Sequence, residues 1–336
     1  MGNCNAIVLG AGGWGLALAK VLCENGHNVT VWSKLESEIE ELSSTRMRKN
    51  VLEGVHIPEE IKLTTDISVC READFIVLAT AARFIRSTAE ELKNIINEKT
   101  VLISVAKGLD PETNETLSNT ISAALPHNPI AVLSGPSHAE EVARNIPTAL
   151  VSAAATRETA QSVADIFTNP FMRVYLSSDI IGVELGGVIK NVIAIAAGII
   201  DGMGYGDNTK AAVMTRAIVE MARLGETLGG KAQTFGGLTG MGDLIVTCTS
   251  MHSRNRRCGI LIGKGEDIHA AVEQIGMTVE GAASAKTVYA LAQKYKVEMP
   301  IVEAVYKLLY ENMPPEEVMK ELMKRSTKLE NEDVWF

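Results

Sequence analysis

Through the first half of the chain, short apolar runs alternate with longer segments of helical periodicity; in the second half the short runs disappear. Residues 5–10, Asn-Ala-Ile-Val-Leu-Gly, predict a first strand closed by glycine. Behind it Leu16, Ala19 and Leu22 line one face of a helix that ends at Asn25-Gly26. Further strands are predicted at 28–33, 75–79, 101–105, 130–133, 149–152 and 175–178, with segments of helical character between most of them. Strands apolar throughout have no polar face to give to water, so helices must cover both sides of the sheet. Alternation with helices makes that sheet mostly parallel. Beyond residue 178 the strand signal stops, and long helices rich in Ala, Met, Glu and Lys follow, interrupted at Gly-rich turns such as 234–242. The expected fold class is α/β, with a sheet domain over 1–178 and an all-helical domain over 179–336. The end, 326–336, is charged and expected to fray.

Composition agrees with two domains and narrows the partners. A chain of 336 residues exceeds the usual size of one core, and 46% hydrophobic with 22% charged residues is ordinary globular usage. No basic segment precedes the first apolar run, and Ala6 stands where a myristoylation pattern needs Ser or Thr. Neither secretion nor a lipid anchor is expected. The stretch from Val188 to Ile200 carries Lys190 and Asn191 and is shorter than the roughly 20 residues of a membrane span, so it reads as a buried helix and no membrane insertion is expected. Five irregularly spaced cysteines match neither a disulfide framework nor a zinc site, which points to reduced thiols, no metal and a cytoplasmic protein. The net charge of −9 argues against nucleic acid as a partner, and requires any anionic ligand to be met by a local cluster of cations.

The sequence Gly10-Ala-Gly12-Gly13-Trp14-Gly15 follows the first strand and opens the first helix. Glycines at this spacing permit a tight turn, close approach of backbone to a pyrophosphate and close helix-to-strand packing, while the helix N-terminus offers N–H donors. This context identifies a Rossmann-type dinucleotide site. An NAD site usually has a carboxylate at the end of the second strand; Ser33-Lys34 stands there instead, and a hydroxyl with an ammonium suits a 2′-phosphate. The chemistry thus leans toward NADP over NAD, the plain alternative being that Lys34 is a solvated surface residue.

Three further clusters carry polar groups that structure alone does not need. Lys107 follows a predicted strand directly, at the end of a parallel sheet that faces the ligand crevice. Lys190 and Asn191 interrupt an apolar helix, and a buried ammonium is costly unless paired; a lysine of depressed pKa is a competent proton shuttle, the plain alternative being a structural pair with Glu184 or Asp243. Gly240-Met-Gly-Asp243, with Ser253-Arg254-Asn255-Arg256-Arg257 shortly after, offers guanidinium forks and neighbouring donors suited to a phosphate.

With Ser134-Gly-Pro-Ser-His-Ala-Glu-Glu-Val-Ala143, Glu184-Leu-Gly-Gly-Val-Ile-Lys-Asn191 and Thr239-Gly-Met-Gly-Asp-Leu…His252-Ser-Arg-Asn255, the Gly-rich loop resembles the bacterial NAD(P)-dependent glycerol-3-phosphate dehydrogenases, from the first strand to about Tyr310. Two departures are His138, where that family often has Phe, and Ser33-Lys34 in place of His-Arg or Arg-Arg. The resemblance implies reduction of dihydroxyacetone phosphate, a small phosphorylated triose, to sn-glycerol 3-phosphate by a cytoplasmic homodimer. It implies Lys190 as proton acceptor oriented by Asp243, and Lys107, Gly135, Ser137, Asp243, Ser253, Arg254 and Asn255 as substrate-binding. Gly13, Trp14, Lys34, Lys107, Ala139, Arg254 and Glu280 would border the cofactor. Two rivals stand beside it: a related dehydrogenase of a 3-hydroxy acid or acyl-CoA, against which the phosphate cluster speaks, and a non-catalytic NAD(P)H-sensing module, which has no use for a buried Lys beside an Asp.

Overall fold

The computed structural model describes residues 2–326 apart from 50 and 277; the remainder of the charged end, 327–336, lies outside the described residues. Strands β1 (Asn5–Leu9), β2 (Asn28–Trp32), β3 (Lys62–Thr64), β4 (Phe75–Leu78), β5 (Val101–Ser104), β6 (Ile130–Ser134), β7 (Thr148–Ala154) and β8 (Met172–Ser177) form one sheet in the order β3-β2-β1-β4-β5-β6-β7-β8. Neighbours are parallel except β6 and β7. Helices α1 (Gly13–Glu24), α2 (Glu36–Thr45), α3 (Ala82–Leu92), α4 (Leu117–Ala124), α5 (Ala139–Val142) and α6 (Arg157–Phe167) punctuate it. On β1 the pleat sends Ala6 and Val8 to a core with Leu16 and Val21 of α1, and Ile7 and Leu9 to the opposite core with Ile85 of α3 and Ile121 of α4. Burial on both faces is why these strands read as unbroken apolar runs.

Two features escape the pattern. β3 is a three-residue edge strand, Lys-Leu-Thr, with no apolar run to announce it. β7 is antiparallel to β6 because the helix between them, α5, has only four residues, too short to carry the chain back across the sheet for a parallel return.

The second half is built on α7 (Ile180–Gly202), which Asp179 caps by accepting from the Gly182 N–H. Around it stand α8 (Asp207–Thr227), α9 (Ala232–Phe235), a π-helical turn at Leu238–Gly242, α10 (Asp243–Thr249), α11 (Arg254–Gly263), α12 (Ile268–Ile275), α13 (Glu280–Tyr295), α14 (Pro300–Tyr310) and α15 (Pro315–Met323). By length and composition α7 could cross a membrane, yet 83% of its most apolar window is buried inside the protein. It is the central helix of a core that includes Leu185, Ile189, Ile193, Met221, Leu244 and Val302. Lys190 and Asn191 are among the polar groups buried with it, as are Glu184, Glu220, Asp243 and Thr247.

Candidate active site

Strand order reverses around β1 and β4, and the crevice beyond their carboxyl ends is where an open α/β sheet takes its ligand. Gly10, at φ +122°, has no room for a side chain: a Cβ there would lie 2.8 Å from the Ala79 carbonyl oxygen. One on Gly15 would meet the Gly10 carbonyl oxygen at 2.2 Å. These two glycines let loop, helix and strand close on one another. Gly12, at the N-cap of α1, is different, since a Cβ there would meet nothing within 4 Å. Space is therefore left over the N-terminus of α1, where backbone N–H groups and the helix dipole favour an anion. Beside it, the buried Trp14 Nε1 and Thr80 Oγ1 have no partner among the described residues. Gly13 faces Val51 and the Cβ of Ala139, which brings the start of α5 to the loop. This cradle fits the pyrophosphate of a dinucleotide.

Across the crevice, Asp243 bridges two lysines. Its Oδ1 accepts from Lys190 Nζ at 2.6 Å and its Oδ2 from Lys107 Nζ at 2.8 Å. Lys190 also donates to Thr247 Oγ1 at 2.8 Å, and Lys107 to the Gly135 carbonyl at 3.1 Å. An ammonium has three protons, so each lysine keeps one for a ligand. Burial lowers the Lys190 pKa, Asp243 opposes, and Lys107 adds to the fall; the net direction is down. Asp243 is also fully buried, which by itself raises its pKa, but the two lysines outweigh this and hold it ionised below the usual carboxylate range. Asp243, not Glu184, is thus the partner of Lys190. Glu184 turns away to accept from the Ser118 N–H and hydroxyl.

Asn191 and Asn255 join α7 to α11 through an amide hydrogen bond of 3.0 Å, and Asn255 Oδ1 accepts from the Gly281 N–H at 2.9 Å. Ser253 caps α11 by accepting from the Arg256 N–H at 3.2 Å, and Arg254 begins that helix half-buried. Glu280, at the start of α13, feels burial as a rise in pKa and Arg254, Lys107 and Lys190 as an opposing pull, so all three cations lie near it. Arg254, Lys107 and Lys190 make up the local cation cluster. Arg256 corrects the expectation that the neighbouring arginines share in it: its guanidinium is bound to Asp201 at 2.9 and 2.7 Å and to the Thr249 carbonyl. Helical spacing explains this, since Arg254 and Arg256 point to opposite sides of α11. Ser137 hydrogen-bonds to the Gly135 carbonyl at 3.0 Å.

At the other end of the crevice Ser33 is buried, whereas the Lys34 side chain is 77% exposed and has its nearest acid, Glu91, at 4.0 Å. Two residues near the site, Thr247 and Thr80, escaped notice in the sequence, and a third, His138, stood out there only as a departure from the family pattern. Thr247 lies four residues after Asp243 on α10, a spacing that puts both on one face. Thr80 stands two residues past the end of β4, at the same carboxyl edge of the sheet as Lys107 past β5. His138 leaves Nε2 buried without a partner among the described residues and sits with its ring centroid 5.6 Å from that of His252; burial and the Lys190 charge push its pKa down.

Sequence models of the NAD-dependent glycerol-3-phosphate dehydrogenase N-terminus and C-terminus match residues 5–160 and 179–320. A glycerol-3-phosphate dehydrogenase (NAD(P)+) of Fusobacterium nucleatum is 51% identical over 326 residues, which is 96% of this chain and 97% of that protein. One from Agathobacter rectalis is 49% identical over 325 residues, 96% and 97% of the two chains. The crystal structure of glycerol-3-phosphate dehydrogenase from Coxiella burnetii superposes with a TM-score of 0.93 at 37% identity, covering 96% of this chain and 99% of that one.

Proposed function

Because the chain belongs to the NAD-dependent glycerol-3-phosphate dehydrogenase family, we propose that it catalyses the reversible NAD(P)H-dependent reduction of dihydroxyacetone phosphate to sn-glycerol 3-phosphate, which supplies glycerophospholipid synthesis. The observation that carries this reading is the buried Lys107–Asp243–Lys190 bridge facing the dinucleotide cradle. When bound there, the nicotinamide cofactor supplies the hydride in reduction and takes it back in oxidation.

The protein's own groups do the rest. With two protons engaged by Asp243 and Thr247, Lys190 presents its third to the C2 oxygen, donating as the carbonyl is reduced and accepting as the alcohol is oxidised. Its lowered pKa makes that proton easier to release, and Asp243 fixes the ammonium against rotation. Lys107, held at the Gly135 carbonyl, places a second positive charge beside the developing alkoxide. Arg254 grips the phosphate remote from the reacting carbon, with Ser253, Asn255, Gly135 and Ser137 forming the rest of the substrate wall. That anchoring turns binding energy into orientation of the carbonyl. Gly10, Gly12, Gly13, Trp14 and Gly15 take the pyrophosphate side of the cofactor and Ser33 and Lys34 its adenosine end. Lys107, Ala139, Arg254 and Glu280 border the nicotinamide side.

The working halves are 1–178 and 179–336, a division supported by cores that fall almost wholly on one side or the other of residue 179, with Leu109 reaching into the helical core and Val183 packing on Val132 and Ala153 where the halves meet. We assign the protein to the cytoplasm as a homodimer. Five unpaired thiols support the compartment, and the half-exposed Met241 and Ile245 give a subunit contact apolar surface. Light scattering of the purified protein checks the dimer. Lys190→Ala tests the mechanism: kcat is expected to fall by roughly 10²–10⁴-fold with cofactor affinity unchanged. Near-wild-type turnover removes Lys190 from the reaction. Wild-type protein that binds NADPH yet never oxidises it with dihydroxyacetone phosphate supports a sensor instead.

A further inference from the structure

The end of β2 holds more than Ser33-Lys34. Ser33 donates its hydroxyl proton to Glu38 Oε2 at 2.6 Å, and the Leu35 N–H donates to Ser33 Oγ at 3.2 Å. Glu38, in the first turn of α2, is paired through Oε1 with Arg48 Nη1 at 3.0 Å. Arg48 is held from its other side by Glu41 at 3.0 Å, and its Nη1 also donates to the Ala11 carbonyl at 3.3 Å, inside the Gly-rich loop. Ser33, Glu38 and Arg48 therefore form a chain of contacts from the end of β2 to Ala11 in the pyrophosphate cradle. The Arg48 side chain is 12% exposed, against 77% for Lys34.

At this place in a dinucleotide fold, a carboxylate accepts the ribose hydroxyls of NADH and a guanidinium receives the 2′-phosphate of NADPH. Here one ion pair contains both groups. Resting on the cofactor site proposed above, we infer that the Glu38–Arg48 pair sets the choice between NADH and NADPH, with Lys34 left at the rim. Ser33 holds the Glu38 carboxylate at the strand end, ready for ribose hydroxyls. A 2′-phosphate repels that carboxylate and takes its place on Arg48, while Glu41 keeps the guanidinium pointed at the loop. The sequence window lacked an acid because the carboxylate comes from the following helix, and Ser33 binds it to the strand.

The test compares dissociation constants of ADP-ribose and 2′-phospho-ADP-ribose by calorimetry, which needs no turnover. Glu38→Gln keeps the size and a hydrogen-bonding partner for Ser33 and removes the repulsion, so the ratio should shift toward the 2′-phosphate by about tenfold or more, the scale of a charge-assisted hydrogen bond. Arg48→Met should shift it the opposite way by a similar factor. Should that variant not fold, Arg48→Lys is expected to give a smaller shift of the same sign, because an ammonium lacks the bidentate fork. A wild type that binds both ligands with a ratio indifferent to Glu38→Gln and to the Arg48 variant that folds overturns this inference alone, as does a larger shift from Lys34→Met. A wild type that binds neither ligand overturns the cofactor site and this inference with it.

Discussion

α7 and α11 touch backbone to backbone through glycines spaced four apart on each helix, and an added methyl group at that contact is expected to be costly in a calculable way. The pairs are Gly198 and Gly202 on α7 with Gly259 and Gly263 on α11. A Cβ at Gly198 would stand 2.1 Å from the Arg256 carbonyl oxygen, and one at Gly259 would stand 2.2 Å from the Ile195 carbonyl oxygen. Ordinary contact begins at 3.4 Å, so Gly198→Ala asks α11 to retreat by about 1.3 Å; the obstructing atoms are backbone, and no rotamer relieves them. Overpacking of this kind costs roughly 1–3 kcal/mol, against about 1 kcal/mol gained when Ala replaces Gly within a helix, so a net loss of about 1 kcal/mol is expected. Activity should suffer more. α7 carries Lys190 and Asn191, α11 carries Arg254 and Asn255, and the 3.0 Å hydrogen bond that Asn255 Nδ2 donates to Asn191 Oδ1 crosses this same interface. A displacement near 1 Å between a proton donor and a substrate anchor is worth up to about 10²-fold in rate. Urea denaturation together with steady-state kcat/KM for dihydroxyacetone phosphate reads both effects. A Gly198→Ala protein as stable as wild type, with kcat/KM within about threefold, would refute the argument that this glycine contact sets the geometry of the site.

Two other outcomes are expected. Arg254→Ala should raise KM for dihydroxyacetone phosphate and lower kcat as well, since the anchor orients the carbonyl; wild-type turnover of unphosphorylated dihydroxyacetone as fast as that of the phosphate would contradict this. Glu220, buried and accepting from the Ile301 and Val302 N–H groups at the start of α14, has its pKa pushed up by burial from 4.5 to about 8. A carboxyl whose folded pKa is raised contributes stability that is full below its unfolded value and lost as pH climbs through the folded one. Wild-type unfolding free energy should therefore decline between pH 5 and 9, with Glu220 contributing at most about 5 kcal/mol, and Glu220→Gln should flatten that decline. Identical slopes in urea denaturation series of the two proteins would remove Glu220 as its source.

What the chain determined by itself were features written in short-range chemistry. Strands buried on both faces must be apolar throughout, and a Gly-rich turn must sit where a Cβ would strike the Ala79 carbonyl, so both left a local record at 5–15. Lys190 was conspicuous for the same reason, an ammonium among apolar neighbours on a helix. Distance in sequence hid the rest. Asp243 and Lys107 stand far from Lys190 along the chain, and only the packing of α10 and of the loop after β5 against α7 makes one carboxylate bridge both ammonium groups. The short α5 turned β7 antiparallel, the angular spacing on α11 separated Arg256 from Arg254, and α2 delivered Glu38 to Ser33 from beyond the strand. Periodicity specifies which face of an element is buried, but the partner of a polar side chain depends on which elements meet, and that is decided when apolar faces pack and each buried charge must find its counter-charge.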